Sequence, residues 1–187
     1  AKYDSLCSIG TALEVLATVH DAIGRATSPG TLNAVFEQVT ANGYNADSGF
    51  YPFVVSFEGT WVAHGANSAL VGQSMATVIS ASAVLSPHLN GNALNRALIN
   101  AATSGGGAVQ YKWTNAATGP VYDKTALTAG ATGFDGVDYY IAVGYDNILR
   151  TTPASPDRAC NAAYNNPCSV DNTLSLLGHA LSLAYTS

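Results

Sequence analysis

The strongest constraint on this chain is a change of period in its apolar residues. Leu6, Ile9, Leu13, Leu16 and Ile23 recur at three- and four-residue steps. That spacing predicts an amphipathic helix over residues 4 to 25. Ser28-Pro29 opens a second helix with Leu32, Val35, Phe36 and Val39 on its buried face, and Asn42-Gly43 ends it. From Phe50 the pattern alternates. "FYPFVVSF" and "TWVAHG" predict two strands joined by a Glu58-Gly59 hairpin turn. "SALVGQSMATVISAS" returns to a loop and helix, and residues 92 to 103 carry a further helical stripe of Leu94, Leu98 and Ile99. "AVQYKW", "VYDKTALTAG" and "DYYIAVGYD" then predict three more strands, with turns at 115–120 and 133–136. Helices first, then strands without alternating βα units, indicate an α+β domain. Its expected form is a curved antiparallel sheet of about five strands with a long N-terminal helix and further helices packed on it. The tail "TTPASPDRACNAAYNNPC" reads as a loop, followed by a last helix with Val170, Leu174, Leu177 and Leu181 on one side. Neither a repeat nor a domain boundary is visible. Residues 1–187 therefore read as one domain: N-terminal helices over 1–43, a sheet core over 44–149, and the loop and last helix over 150–187.

Composition narrows the function. At 48% hydrophobic, the chain can bury a core without a cofactor. Charged residues are only 10%, against the usual quarter or so, so the surface is neutral and polar, as is common in secreted proteins. The net charge is -5 with seven Lys and Arg, which argues against nucleic acid as a partner. The sequence has no apolar run of the roughly 18 residues that a membrane helix needs. Cys160 and Cys168 bracket the polar loop "CNAAYNNPC". They read as a local disulfide of an oxidising compartment, or else as two thiols. Cys7 is then the odd cysteine, either a small buried hydrophobe or a competitor for a partner.

Signatures of chemistry are missing. "GGGAVQYKW" runs glycines into a strand, whereas a phosphate loop needs a helix N-terminus and a lysine. There is no G-x-S-x-G elbow. His20, His64, His88 and His179 stand far apart, with no metal-ligand spacing, and the acidic residues are scattered. Neither a catalytic residue, nor a metal, nor a cofactor is expected.

Several segments occur in a recognisable order: "GFYPFVV", "TWVAHGANSALVGQSM", "AATSGGGAVQYKW", "VYDKTALTAG" and "FDGVDYYIAVGYDN". Together residues 44 to 147 resemble the single Cache domain, and residues 4 to 40 suit that family's long N-terminal helix and the short helix after it. The chain departs at Gly65, where the family often has Pro, and at Leu127, where an aromatic is usual. Residues 150–187 have no recognised counterpart. The resemblance implies a Cache/PAS-like fold and an extracellular or periplasmic sensor module. Such a module binds a small organic ligand, such as a carboxylate, amino acid or amine, on one side of the sheet and does no chemistry.

Alternation places the candidate ligand residues. Val109, Tyr111 and Trp113 share a strand face. Tyr111 reads as pocket wall, and Trp113 as either wall or core, since both types carry an apolar body with a polar tip. His64 ends a strand before a polar loop and can orient or hold an anion, or simply brace the turn. Lys124, one of three lysines, is a candidate carboxylate partner or a surface residue. Tyr140, Ala142 and Gly144 share a face whose small residues leave room for ligand or for the first helix. Phe53 and Val55 would line the neighbouring strand, and Asn67 and Ser68 would add amide and hydroxyl contacts. Arg96 is expected on the surface, and His20, His88 and His179 in structural roles. The rival reading is a secreted structural or assembly subunit that uses this fold without a ligand, forming a homo-oligomer through its terminal helices.

Overall fold

In a computed structural model the chain is described over residues 6–42, 51–81, 90–114 and 121–147, with side chains over 12–41, 51–79, 90–112 and 124–144. The elements in order are α1 (Leu6–Arg25), α2 (Pro29–Asn42), β1 (Tyr51–Ser56), β2 (Trp61–His64), a one-turn 3-10 helix (Ser68–Leu70), α3 (Met75–Ala81), α4 (Gly91–Thr103), β3 (Gly107–Thr114), β4 (Val121–Thr132) and β5 (Asp138–Asn147). The five strands form one antiparallel sheet in the order β2-β1-β5-β4-β3. The last strand thus sits at the centre, between the first hairpin and the second.

Local chemistry sets the element ends. Pro29 occupies the first helical position of α2, where its missing N–H costs nothing. Just before it, the Ser28 N–H donates to Thr31 Oγ1 (3.0 Å) and the Thr31 N–H donates to Ser28 Oγ (3.2 Å), a reciprocal cap that satisfies two otherwise unpaired donors. Asn90 Oδ1 accepts the Ala93 N–H at 2.9 Å and starts α4. Gly59, with φ +93°, turns the β1–β2 hairpin, and Gly136, with φ +74°, turns β4 into β5.

Both faces of the sheet are covered. On one, α1 and α2 bury Leu16, Val19, Ile23, Leu32, Phe36 and Val39 against Val54, Leu127, Tyr139, Ile141 and Val143. On the other, α3 and α4 bury Met75, Ile79, Leu94 and Leu98 against Phe53, Val55, Trp61, Tyr111, Ala126, Tyr140 and Ala142. The first helix therefore packs on the face of Tyr139, Ile141 and Val143. The small residues beside Tyr140 are not its seat.

The Cys160–Cys168 loop, the side chain of Cys7, His88, His179 and the helix expected around Val170–Leu181 lie outside the described residues. Among the described helices none is long and apolar enough to cross a membrane.

Candidate functional site

Register brings the candidate residues together on the α3–α4 face. His64, Phe53, Ala142, Thr128 and Gly107 form one row across all five strands. Tyr51, Gly144, Ala126 and Val109 form the next. Asp146, Lys124 and Tyr111 form the row after that. In a strand, residues two apart share a face, so these rows pave one end of the same surface.

Lys124 is the centre of this end. It is only 2% exposed. Its side chain leaves β4, crosses β5 and donates from Nζ to Tyr51 Oη on β1. Two strand spacings are roughly 9–10 Å, more than a lysine spans alone, so the Lys124 and Tyr51 side chains meet over β5 between them. Gly144 on β5 makes the crossing possible: a Cβ there would lie 2.8 Å from Lys124 Cε and 3.8 Å from Phe53 Cε1. The ammonium also sits 4.3 Å from the centroid of the Tyr51 ring, an attractive cation–π contact.

His64 stands beside that pair. Its ring centroid is 5.2 Å from Tyr51, 5.8 Å from Phe53 in a near-parallel stack, and 6.3 Å from Trp61 edge-on. His64 Nδ1 accepts the backbone N–H groups of Ala66 (3.2 Å) and Asn67 (3.0 Å). In the neutral ring the proton is therefore on Nε2, which becomes a donor. Burial, and next the positive charge of Lys124, hold the imidazole pKa down to about 4, so the ring is neutral at ordinary pH.

The other predicted residues divide. Phe53 and Tyr111 are buried on this face, Tyr111 directly across from Lys124 in register. Trp113 is paired with Tyr122 in the β3–β4 ladder, and its side chain lies outside the described ones. Tyr140 is fully buried under the helices, where its hydroxyl donates to Asn95 Oδ1 on α4 at 2.9 Å and lies 3.7 Å from Met75 Sδ on α3. It acts as a pin between sheet and helices. Asn67 is exposed, and its side chain caps the one-turn helix by accepting the Ala69 N–H at 3.1 Å. It serves the site through its backbone N–H on His64. Arg96 is exposed, and His20 is half-buried.

Three residues went unread in the sequence. Tyr51 precedes Phe53 by two positions, so strand alternation already placed both on one face. Trp61 and Thr128 lie on the same surface, and Trp61 Nε1 and Thr128 Oγ1 are buried without a hydrogen-bond partner among the described residues. Their sequence signal was the alternation alone. Among the described residues no group of three His, Cys, Asp or Glu side chains is placed to hold a metal ion.

An open five-stranded antiparallel sheet with helices packed on it is the Cache/PAS-like α+β fold. The family model for the Single Cache domain 2 matches residues 31–148. The chain belongs to that family, whose members are sensory ligand-binding modules. A periplasmic sensor domain of a chemotaxis protein is similar in fold, with a TM-score of 0.53 and 18% identity over 76% of this chain and 94% of that one. A Cache chemosensory domain solved for its carboxylic acid recognition aligns with a TM-score of 0.49 and 17% identity, over 77% of this chain and 91% of that one. A methyl-accepting chemotaxis protein from Vibrio parahaemolyticus aligns at 0.46 and 15%, over 75% and 84%. Comparison with curated protein sequences gave no match.

Proposed function

We propose that this chain is the sensing module of an extracellular or periplasmic receptor, and that it binds a small organic carboxylate at the Lys124 end of the α3–α4 face without transforming it. The supporting observation is the buried ammonium of Lys124, carried across Gly144 to Tyr51 beside a neutral His64. A desolvated cation interacts with an anion far more strongly than one in water. The Nε2–H of His64 would supply a hydrogen-bond donor. Phe53 and Tyr111 would supply apolar wall, and Tyr111 a further hydroxyl. His64 has its Nδ1 committed to two backbone amides, which suits orienting a ligand better than moving a proton.

The test is a thermal-shift screen with millimolar small carboxylates, amino acids and amines. A ligand at a hundred times its Kd stabilises by about 2.7 kcal/mol, enough to raise Tm by several degrees. A carboxylate that shifts the wild type but not Lys124→Met is the expected result. A shift kept in full by Lys124→Met overturns the assignment of the site. Silence from every compound, together with concentration-dependent assembly, favours a structural subunit.

A further inference from the structure

A groove lies on the α1–α2 side of the molecule, beside α2. Pro29, Leu32, Asn33, Phe36, Glu37 and Thr40 fall at helical spacing and turn one face of α2 toward β2 and the loop after it. The helix is tied down at two points one turn apart. Thr40 Oγ1 accepts the His64 N–H at 3.3 Å, and the Phe36 ring meets Tyr139 edge-to-face at 5.3 Å. A groove of about 940 Å³ is left beside this face, within the size range of small-molecule sites.

Its chemistry differs from that of the inner face. Phe36, Val62 and Tyr139 supply aromatic and aliphatic wall, while Trp61, whose ring belongs to the inner-face cluster, borders the groove at β2. The ionisable carboxyl groups that line it are Glu37 on α2 and Asp135 in the β4–β5 turn, and no lysine or arginine lines it among the described residues. Asp135 is held in place, since its Oδ2 accepts the Tyr139 hydroxyl at 2.7 Å and its Oδ1 accepts the Val137 N–H at 3.1 Å. Glu37 is exposed. The large apolar side chains that are exposed among the described residues are Val71, Phe134 and Val137. Val71 lines the groove, and the other two flank Asp135.

We propose that this groove is a second ligand site, for a small organic cation with an apolar body, such as an aryl-alkyl amine. The apolar body would enter between α2 and β2 against the Phe36 and Tyr139 rings, and the ammonium would remain at the rim with Glu37 and Asp135. The two carboxylates have no competing cation at the groove among the described residues. This site does not rest on the carboxylate reading of the inner face.

Titration calorimetry with phenethylamine, its neutral isostere 2-phenylethanol, and 3-phenylpropionate tests the proposal. Phenethylamine is expected to bind saturably at one site, with 2-phenylethanol at least tenfold weaker and 3-phenylpropionate silent at the groove. Glu37→Lys, an exposed substitution, is expected to weaken phenethylamine at least tenfold, Glu37→Gln less so, and Lys124→Met not at all. Equal affinity for the amine and the alcohol overturns the cation assignment. Amine binding lost in Lys124→Met but kept in Glu37→Lys places the probe on the inner face and overturns the site. The absence of saturable amine binding overturns it as well.

Discussion

Gly144 lies directly beneath the arm of Lys124: a Cβ at that position would approach Lys124 Cε to 2.8 Å. The ammonium reaches Tyr51 only because the intervening strand offers no side chain there. Gly144→Ala is therefore expected to push the lysine aside. Overpacking of this kind costs ~1–3 kcal/mol, and here the low end applies because the displaced group is the outer part of a flexible side chain. Affinity for a carboxylate is expected to fall at least tenfold while Tm moves by only a few degrees. Titration and thermal unfolding of the same variant check this, and an unaltered affinity would show that the site does not need Lys124 in this place.

The neutral His64 gives stability a pH dependence of known sign. Its pKa in the folded chain is held at about 4, below the ordinary 6.5. Between those values the unfolded chain binds a proton that the folded chain refuses. The stabilisation is complete above pH 6.5 and is lost as the pH falls toward 4, by up to about 3 kcal/mol. His20, lowered chiefly by burial, adds in the same direction. Urea unfolding at pH 7 and pH 4.5 is expected to show the loss, and His64→Gln to flatten it. A wild-type stability that rises on acidification across this window contradicts the buried neutral ring.

The change of period was enough to read most of the fold. The α2 start at Ser28-Pro29, the Glu58-Gly59 hairpin and the 133–136 turn depend on local chemistry that short stretches encode, and each stands where the sequence placed it. Strand alternation likewise put Tyr111 on a face with Val109, and Tyr140 on a face with Ala142 and Gly144, and register brings both with Phe53 onto the α3–α4 face. Depth was not legible. Lys124 read equally as surface or pocket because "TALTAG" is apolar or small at nearly every position, as expected for a strand covered on both faces. Tyr140 read as a ligand contact because alternation says nothing of how far α3 and α4 extend over the sheet. The room over Ala142 and Gly144 read as empty or as a seat for α1, whereas the arm of Lys124, anchored two strands away, runs across Gly144. Such a contact is fixed by register across three strands, which no short segment records.

Gly91 marks where α4 crosses α3. A Cβ there would lie 2.6 Å from the Met75 carbonyl oxygen and 2.8 Å from Ala76 Cα. Both are backbone atoms and cannot swing away, so Gly91→Ala must separate the helices, even though alanine is the better helix former. A loss at the upper end of ~1–3 kcal/mol is expected in chemical denaturation. Gly24→Ala, on an exposed stretch of α1 with nothing within 4 Å of the added Cβ, is the control and is expected to be neutral or stabilising.

Tyr140→Phe separates the structural role of this residue from a ligand role. The substitution keeps the ring and removes only the hydroxyl that donates to Asn95 Oδ1 at 2.9 Å. Asn95 also donates from Nδ2 to the Phe57 carbonyl at 3.3 Å, so it links the sheet, the β1–β2 turn and α4. Without the hydroxyl, a carbonyl oxygen under the helix loses its partner, at a cost of ~1–3 kcal/mol. The urea midpoint is expected to fall by a corresponding amount with an unchanged m-value, because the surface exposed on unfolding stays the same. Carboxylate affinity is expected to stay within about twofold, since the hydroxyl is engaged with α4 and the Lys124–Tyr51 pair is untouched. A variant that keeps its stability and loses the ligand would return Tyr140 to the binding site and move that site inward, beneath α4.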